Sequence, residues 1–366
     1  MASTQKLVRV GLIGCGEIAQ VVHIPTLGFL SDYFRITYLC DASASALDHC
    51  KSRVMGGVTP STTTTPAELC ASADVDVVLV ASSDAHHAEH AVLALQHHKH
   101  VFLEKPAALN VRDLHRIRDA EAGSRGKVMV GYMRRYAAAF QKAVELIGGM
   151  DKILYARVRD IIGPNSTFVD QSGTFPKKFT DFSQQDSRDL SDKTAETVTT
   201  GLAECGASDS ESNRRLWRLL GGLGSHDLSA MREALGMPKS VRGACSAGLF
   251  WNAIFEYEGF HVAYESGIDN VPRFDAHIEV YSQEKTVRIQ YDTPYVKGLP
   301  IYVKVAENDG GVYKETQFRI TYEDAYTQEF REMYEWYTTG KPVKTTIEDA
   351  ENDSKIFGMI MKAAQR

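Results

Sequence analysis

Between the apolar run Leu7-Val8-Arg9-Val10-Gly11-Leu12-Ile13 and a helix-patterned stretch from Glu17 to Leu30 stands the turn Gly14-Cys15-Gly16-Glu17-Ile18-Ala19. A Gly-x-Gly-x-x-Ala turn in that setting leaves few folds open. Gly14 permits a tight turn, Gly16 lets an anion approach the backbone, and Ala19 is small enough for helix and strand to pack closely. Amides exposed at a helix start, aided by the helix dipole, form a site for a phosphate. Glycine is common in strand-to-helix turns, so the chain on either side must carry the rest of the argument.

It does so by alternation. Strand patterns at Leu7–Ile13, Phe34–Cys40, Val75–Val80, Val101–Leu103 and Val128–Val130 are separated by helical patterns at 17–30, 44–51, 66–71, 84–98 and 110–122. The β-branched, nearly unbroken run 75–80 is what a strand covered on both faces requires. Strands alternating with helices imply a doubly wound parallel sheet. Asp41 closes the second strand, about 25 residues after Gly16, where an acid accepts bonds from the ribose hydroxyls of a bound dinucleotide. Its charge repels a 2′-phosphate, so NAD is expected in preference to NADP.

The pattern changes after residue 132. A helix over 137–147 precedes strand patterns at 153–159, 241–247, 250–257, 260–266, 275–281, 285–291 and 301–305, and helices at 324–339 and 346–364 close the chain. Closely spaced strands of this kind predict one large, mostly antiparallel sheet. Residues 163–213, rich in Ser, Thr, Asp and Gly, show little periodicity and read as a long functional loop or a partly disordered segment.

Composition excludes several classes. A formal net charge of −6 with no basic run argues against nucleic acid or an anionic membrane as partner. The 43% hydrophobic content is spread without an apolar run of membrane-spanning length. The six cysteines form no CxxC pair, so free thiols in a reducing, cytoplasmic setting are expected. His86 and His90 have helical i, i+4 spacing but no third ligand, and no metal is expected.

Further motifs make the reading specific: Ala81-Ser82-Ser83-Asp84-Ala85-His86-His87, then His100-Val101-Phe102-Leu103-Glu104-Lys105-Pro106, Val130-Gly131-Tyr132-Met133-Arg134-Arg135-Tyr136, and Gly224-Ser225-His226-Asp227-Leu228. Together with the glycine turn they resemble the glucose-fructose oxidoreductase / inositol dehydrogenase / MocA family over most of the chain. The resemblance implies an α/β protein, with an N-terminal doubly wound Rossmann domain (1–131) that binds NAD. An α+β domain (132–345, containing 163–213) with a large open sheet would bind substrate and form a homodimer. A C-terminal helix, 346–366, would pack back on the Rossmann domain.

It also implies roles. Gly14, Gly16, Glu17, Ile18, Asp41, Ser82, Ser83, His87, Glu104 and Lys105 contact the cofactor. Lys105 and His226 are catalytic, while Arg135, Tyr136, Asp227 and Tyr291 are candidate substrate contacts. A lysine at the carboxyl end of a parallel strand, and an imidazole titrating near neutrality, both suit proton transfer to or from a substrate hydroxyl. The expected activity is hydride transfer between nicotinamide and a hydroxyl or ketone of a small sugar or cyclitol. One departure stands out. Many members carry an aspartate four residues before the histidine, and here that position is Gly222, with Asp227, Asp170, Asp181 and Asp186 as possible substitutes. That leaves open a glycosidase-like enzyme working through transient oxidation, or a non-catalytic NAD-binding regulator.

Overall fold

A computed structural model describes residues 6–365, which divide into two compact units. The first comprises the chain up to Gly131 with Ser172–Gly201 and Glu329–Glu351; the second comprises Tyr132–Gln171, Leu202–Gln328 and the chain from Asn352.

The first unit is built on six parallel strands: β1 (Val8–Ile13), β2 (Phe34–Cys40), β3 (Ser61–Thr63), β4 (Val77–Val80), β5 (His100–Glu104) and β6 (Val128–Gly131). Their order is β3-β2-β1-β4-β5-β6. Val77 to Val80, Val101 to Leu103 and Val128 to Val130 are buried, because helices cover both faces of a doubly wound sheet. The chain leaves β1 toward one side and returns to β4 on the other, so the strand order reverses between them. In an open parallel sheet, ligands bind beyond the carboxyl ends of the strands at such a reversal.

The second unit holds an eight-stranded sheet: β7 (Tyr155–Ile162), β8 (Ser240–Ala247), β9 (Phe250–Glu256), β10 (His261–Ile268), β11 (Phe274–Tyr281), β12 (Lys285–Tyr291), β13 (Tyr302–Asp309) and β14 (Val312–Phe318). The order is β14-β13-β12-β11-β7-β10-β9-β8, antiparallel throughout except where β7 and β10 run parallel. Side chains alternate as a one-sided sheet demands. In β9, Trp251, Ala253 and Phe255 are buried, whereas Phe250, Asn252 and Ile254 face solvent. Helices Ala138–Gly148 and Ser225–Leu235 pack against the sheet.

Three features differ from the expectation. The stretch 163–213 is helical over Asn165–Val169, Gln184–Glu204 and Glu211–Leu219. Its long helix buries few apolar side chains, among them Val198 and Leu202, so it leaves no 3.6-residue apolar stripe to read. Two edge strands were also hidden: β3 is three polar residues, and β14 is mostly exposed Lys, Glu, Thr and Gln.

Candidate functional site

In the first unit, β1 ends at Ile13 and Gly14 follows with φ +100°, where L side chains are strained. A Cβ at Gly14 would lie 2.4 Å from the carbonyl oxygen of Ala81, just past β4. Both the backbone angle and the nearness of two strands therefore require glycine. Gly16 is exposed, with nothing within 4 Å of the position a Cβ would take, which leaves its backbone open to a phosphate. The Cys15 amide donates to one carboxylate oxygen of Asp41 at 2.7 Å and the Ser43 amide to the other at 2.8 Å. The carboxylate is thus fixed beside the glycine turn, and each oxygen keeps a lone pair for another donor.

Gly14, Gly16, Asp41, Ser82 and Ser83 line one crevice with a cavity volume of about 340 Å³. That is the size expected of a small-ligand or cofactor site. An open glycine amide, a fixed acceptor and a crevice at the strand-order reversal fit the pyrophosphate and ribose of a dinucleotide. Glu17 and Ile18 follow the turn immediately, outside the lining of this cavity. His87 is buried and bridges two loops, with Nδ1 2.8 Å from the Pro106 carbonyl and Nε2 3.0 Å from that of Ser82. It holds the loops after β4 and β5 together rather than lining the crevice.

At the end of β5, Glu104 is buried and Lys105 half-buried. Nε2 of fully buried His23 lies 2.9 Å from Oε1 of Glu104, and the His23 ring meets Phe102 and Phe330 edge-on. Burial works to raise the Glu104 carboxyl, but the hydrogen bond from His23 and the charges of His23, Lys105 and His87 outweigh it, so the group sits below its usual range. Glu329, also fully buried, is pushed well above its range by burial and then by the charge of Glu104. A carboxylate is therefore kept beside Lys105, with a neutral carboxylic acid behind it.

The consequence for stability has a definite sign. A carboxyl whose folded pKa is raised stabilises fully below its unfolded value, and that contribution is lost as pH rises through the folded value. For Glu329→Gln we expect thermal melts that match wild type near pH 4.5. Above that pH the wild type falls behind by about 1.4 kcal/mol per pH unit until Glu329 ionises in the folded state. Parallel stability curves from pH 4.5 to 9 would contradict this.

In the second unit, helix Ser225–Leu235 follows the wide-turned segment Leu220–Gly224. His226 is half-buried in its first turn, and Gly222 is exposed with nothing within 4 Å of a Cβ built there. Asp227 points into a buried cluster instead. The Arg134 guanidinium lies 3.0 Å from Asp160, pairs with Asp227, and sits 5.0 Å over the Tyr291 ring. Burial and then the charge of Asp160 raise the Asp227 carboxyl well above its range, against the pull of Arg134. The raised Asp227 carboxyl favours its neutral form, and the one Arg134 guanidinium faces both acids. Burial likewise raises the Tyr291 hydroxyl. Arg135 pairs with Glu233 at 2.5 Å, and Tyr136 is buried beside it in sequence.

Lys105 belongs to the first unit and His226 to the second. Of the acids considered as substitutes at Gly222, Asp227 is committed to the Arg134 cluster, while Asp181 and Asp186 belong to the first unit. Asp160, His23 and Glu329 escaped the sequence reading, although two of them carry a signal. Asp160 shares the inward register of Ala156 and Val158 on β7, and Glu329 falls on the buried stripe of Tyr326, Phe330 and Met333. Among the described residues no group of three or more His, Cys, Asp or Glu is placed to hold a metal ion, and no helix is long and apolar enough to cross a membrane.

Residues 8–132 match the family model described as an oxidoreductase family with an NAD-binding Rossmann fold, named for glucose-fructose oxidoreductase, inositol dehydrogenase and MocA. Inositol 2-dehydrogenase 3 of Saccharopolyspora erythraea is 44% identical over 153 residues, 41% of this chain and 44% of that protein. Myo-inositol 2-dehydrogenase of Thermotoga maritima is 31% identical over 170 residues, 45% of this chain and 49% of that protein. The chain thus spans less than half the length of these curated relatives. Among solved structures, the 3-ketoreductase KijD10 of Actinomadura kijaniata, in complex with NADP and TDP-benzene, shares the fold. Its TM-score is 0.70, with 16% identity and 98% of each chain covered.

Proposed function

Since the chain belongs, through residues 8–132, to the Gfo/Idh/MocA oxidoreductase family with its NAD-binding Rossmann fold, we propose that it is an NAD-dependent dehydrogenase or reductase acting on a hydroxyl or ketone of a small sugar or cyclitol. The observation that carries the reading is the Gly14–Gly16 turn opening on a crevice beside a fixed Asp41 carboxylate. Asp41 supports NAD over NADP, because a carboxylate there would meet a 2′-phosphate with like charge.

NAD held by the Gly14–Gly16 turn and Asp41 would supply the hydride chemistry at a carbinol carbon. The chain supplies the proton chemistry. The Lys105 ammonium, kept beside an ionised Glu104, donates a hydrogen bond to the substrate oxygen and steadies its negative charge. For His226, in the second unit, we propose a proton-transfer role, taking the hydroxyl proton in oxidation and returning it in reduction. The two nucleotides are separated by titration with NADH and NADPH, and the substrate class by a panel of cyclitols and sugars with NAD, followed at the reduced-cofactor absorbance. NADH binding without turnover on any alcohol or ketone would instead support the regulator reading that Gly222 favours. Turnover of a glycoside with no net NADH would support the transient-oxidation reading.

Gly222 also gives a graded test. The open space there accepts Gly222→Asp without a clash. A carboxylate one turn before His226 stabilises the imidazolium, so the variant's pH–rate limb is expected about 0.5–1 pH unit higher than wild type. An unmoved limb would remove His226 from the proton path. We further propose a homodimer formed through the open face of the eight-stranded sheet, since an uncovered sheet face commonly pairs about a two-fold axis. A light-scattering mass equal to one chain would rule it out.

A further inference from the structure

The first unit contains a segment that the dinucleotide fold does not need. Ser172–Gly201 leaves the chain after β7 and packs with the parallel-sheet unit. It is sewn to the glycine turn itself: the Gln20 side chain accepts from the Lys177 amide at 2.8 Å and donates to the Lys177 carbonyl at 3.0 Å and that of Cys15 at 2.9 Å. Arg53 donates to the Thr174 carbonyl at 2.6 Å, and the rings of His49 and Phe179 lie 5.5 Å apart. Asp181 accepts from the Ser43 hydroxyl at 2.5 Å and the Ser45 amide at 3.0 Å, next to Asp41 in sequence.

These ties fix the residue that follows. Phe182 lines the crevice together with Leu190 from the segment, Pro66 from the start of the helix after β3, and Asp41 and Ala42 just past the end of β2. Phe182 is 45% exposed and Leu190 40% exposed, so two large apolar side chains stand at the cavity with surface still open to solvent. Asp186 and Asp189 line the same cavity. The helix Gln184–Glu204 begins here, and its first turn would favour an anion by about half a unit charge. Its start is already occupied by a reciprocal cap, with the Asp186 amide donating to the Ser183 hydroxyl and the Ser183 amide to the Asp186 carboxylate, each at 3.0 Å. Two full negative charges therefore outweigh the half charge of the helix end.

We propose that the segment Ser172–Leu190 completes the adenosine end of the dinucleotide site: Phe182 and Leu190 wall the adenine, and Asp186 and Asp189 add to Asp41 in rejecting a 2′-phosphate. This rests on the reading of the crevice as a dinucleotide site. NAD selectivity then has two tiers, one from the strand end and one contributed by a segment outside the fingerprint.

The test is direct titration of NADH and NADPH fluorescence, which needs no substrate, on wild type, Phe182→Ala and the pair Asp186→Asn with Asp189→Asn. Phe182→Ala is expected to weaken NADH about tenfold, the scale of losing one aromatic contact with the apolar burial it supplies. Because Phe182 is half exposed, its melting temperature should stay near that of wild type, which separates a lost contact from a lost fold. The double asparagine variant is expected to bind NADPH about tenfold more tightly while leaving NADH within about threefold, and to lose most of the wild type's improvement in NADPH affinity with added salt. If wild type binds neither nucleotide, the dinucleotide reading itself falls. If wild type binds NADH while Phe182→Ala stays within about twofold of it, or NADPH affinity is unaltered in the double variant, the role of this segment is overturned and the parent reading stands.

Discussion

Lys105→Met is expected, under the proposed activity, to lower turnover by about two to four orders of magnitude on the substrate that the panel identifies. Methionine keeps most of the aliphatic stem and removes the ammonium, and Lys105 is only half-buried, so the change opens no cavity in the core. The loss should fall equally on kcat and kcat/KM, as it does when an interaction made only in the transition state is removed. NADH affinity should change by less than about tenfold, because the turn amides and Asp41 that would hold the nucleotide are untouched. Steady-state kinetics with a parallel NADH titration checks both halves. Turnover above about a tenth of wild type would take Lys105 out of the chemistry.

Arg134→Leu should be the most damaging single change to stability. Arg134 is 4% exposed and pairs with two carboxyl groups, Asp160 at 0% and Asp227 at 2%. Removing the guanidinium leaves the buried Asp160 and Asp227 carboxyls without their cation, a loss of about 3–5 kcal/mol. In a unit of this size that lowers the melting temperature by roughly 10 °C. Asp227→Asn is the informative contrast. Burial and the charge of Asp160 already keep Asp227 protonated, so a neutral amide replaces a neutral acid at a cost of about 1 kcal/mol or less. Because the raised Asp227 carboxyl loses its stabilising contribution as pH climbs, the asparagine variant should also show a flatter decline above pH 4. Equal damage from both substitutions would mean that Asp227 is ionised in the folded protein.

The parts of this fold that were legible in the sequence are those where one local requirement leaves one residue type. Gly14 must adopt positive φ against the Ala81 carbonyl, β4 must be apolar on both faces, and Asp41 must end β2. What stayed hidden depends on partners distant in sequence. Nothing around Gln20 announces that its amide will be matched by Lys177, and a helix that buries only a few of its residues looks like solvated chain until its partner surface is known. Buried charges fall between these cases. Asp160 and Glu329 sit at positions that the strand and helix periods mark as inward, so a polar residue at an inward position was the available warning.

The first unit is assembled from three separate stretches of chain. Phe330, against which His23 packs, and the Thr345 carbonyl that accepts from the Val130 amide both come from a stretch far downstream of the residues they meet. A ribosome that has produced only the first 131 residues has therefore not yet delivered all the pieces that close the core around β5. The nascent fold must wait, its sheet partly bare, until the stretch Glu329–Glu351 has emerged. Long sequence separation of this kind slows folding and leaves apolar strands exposed to aggregation in the interval. Expression of the glycine-turn half alone should accordingly give insoluble material, and truncation before residue 329 should compromise the nucleotide site by removing a stretch of the first unit.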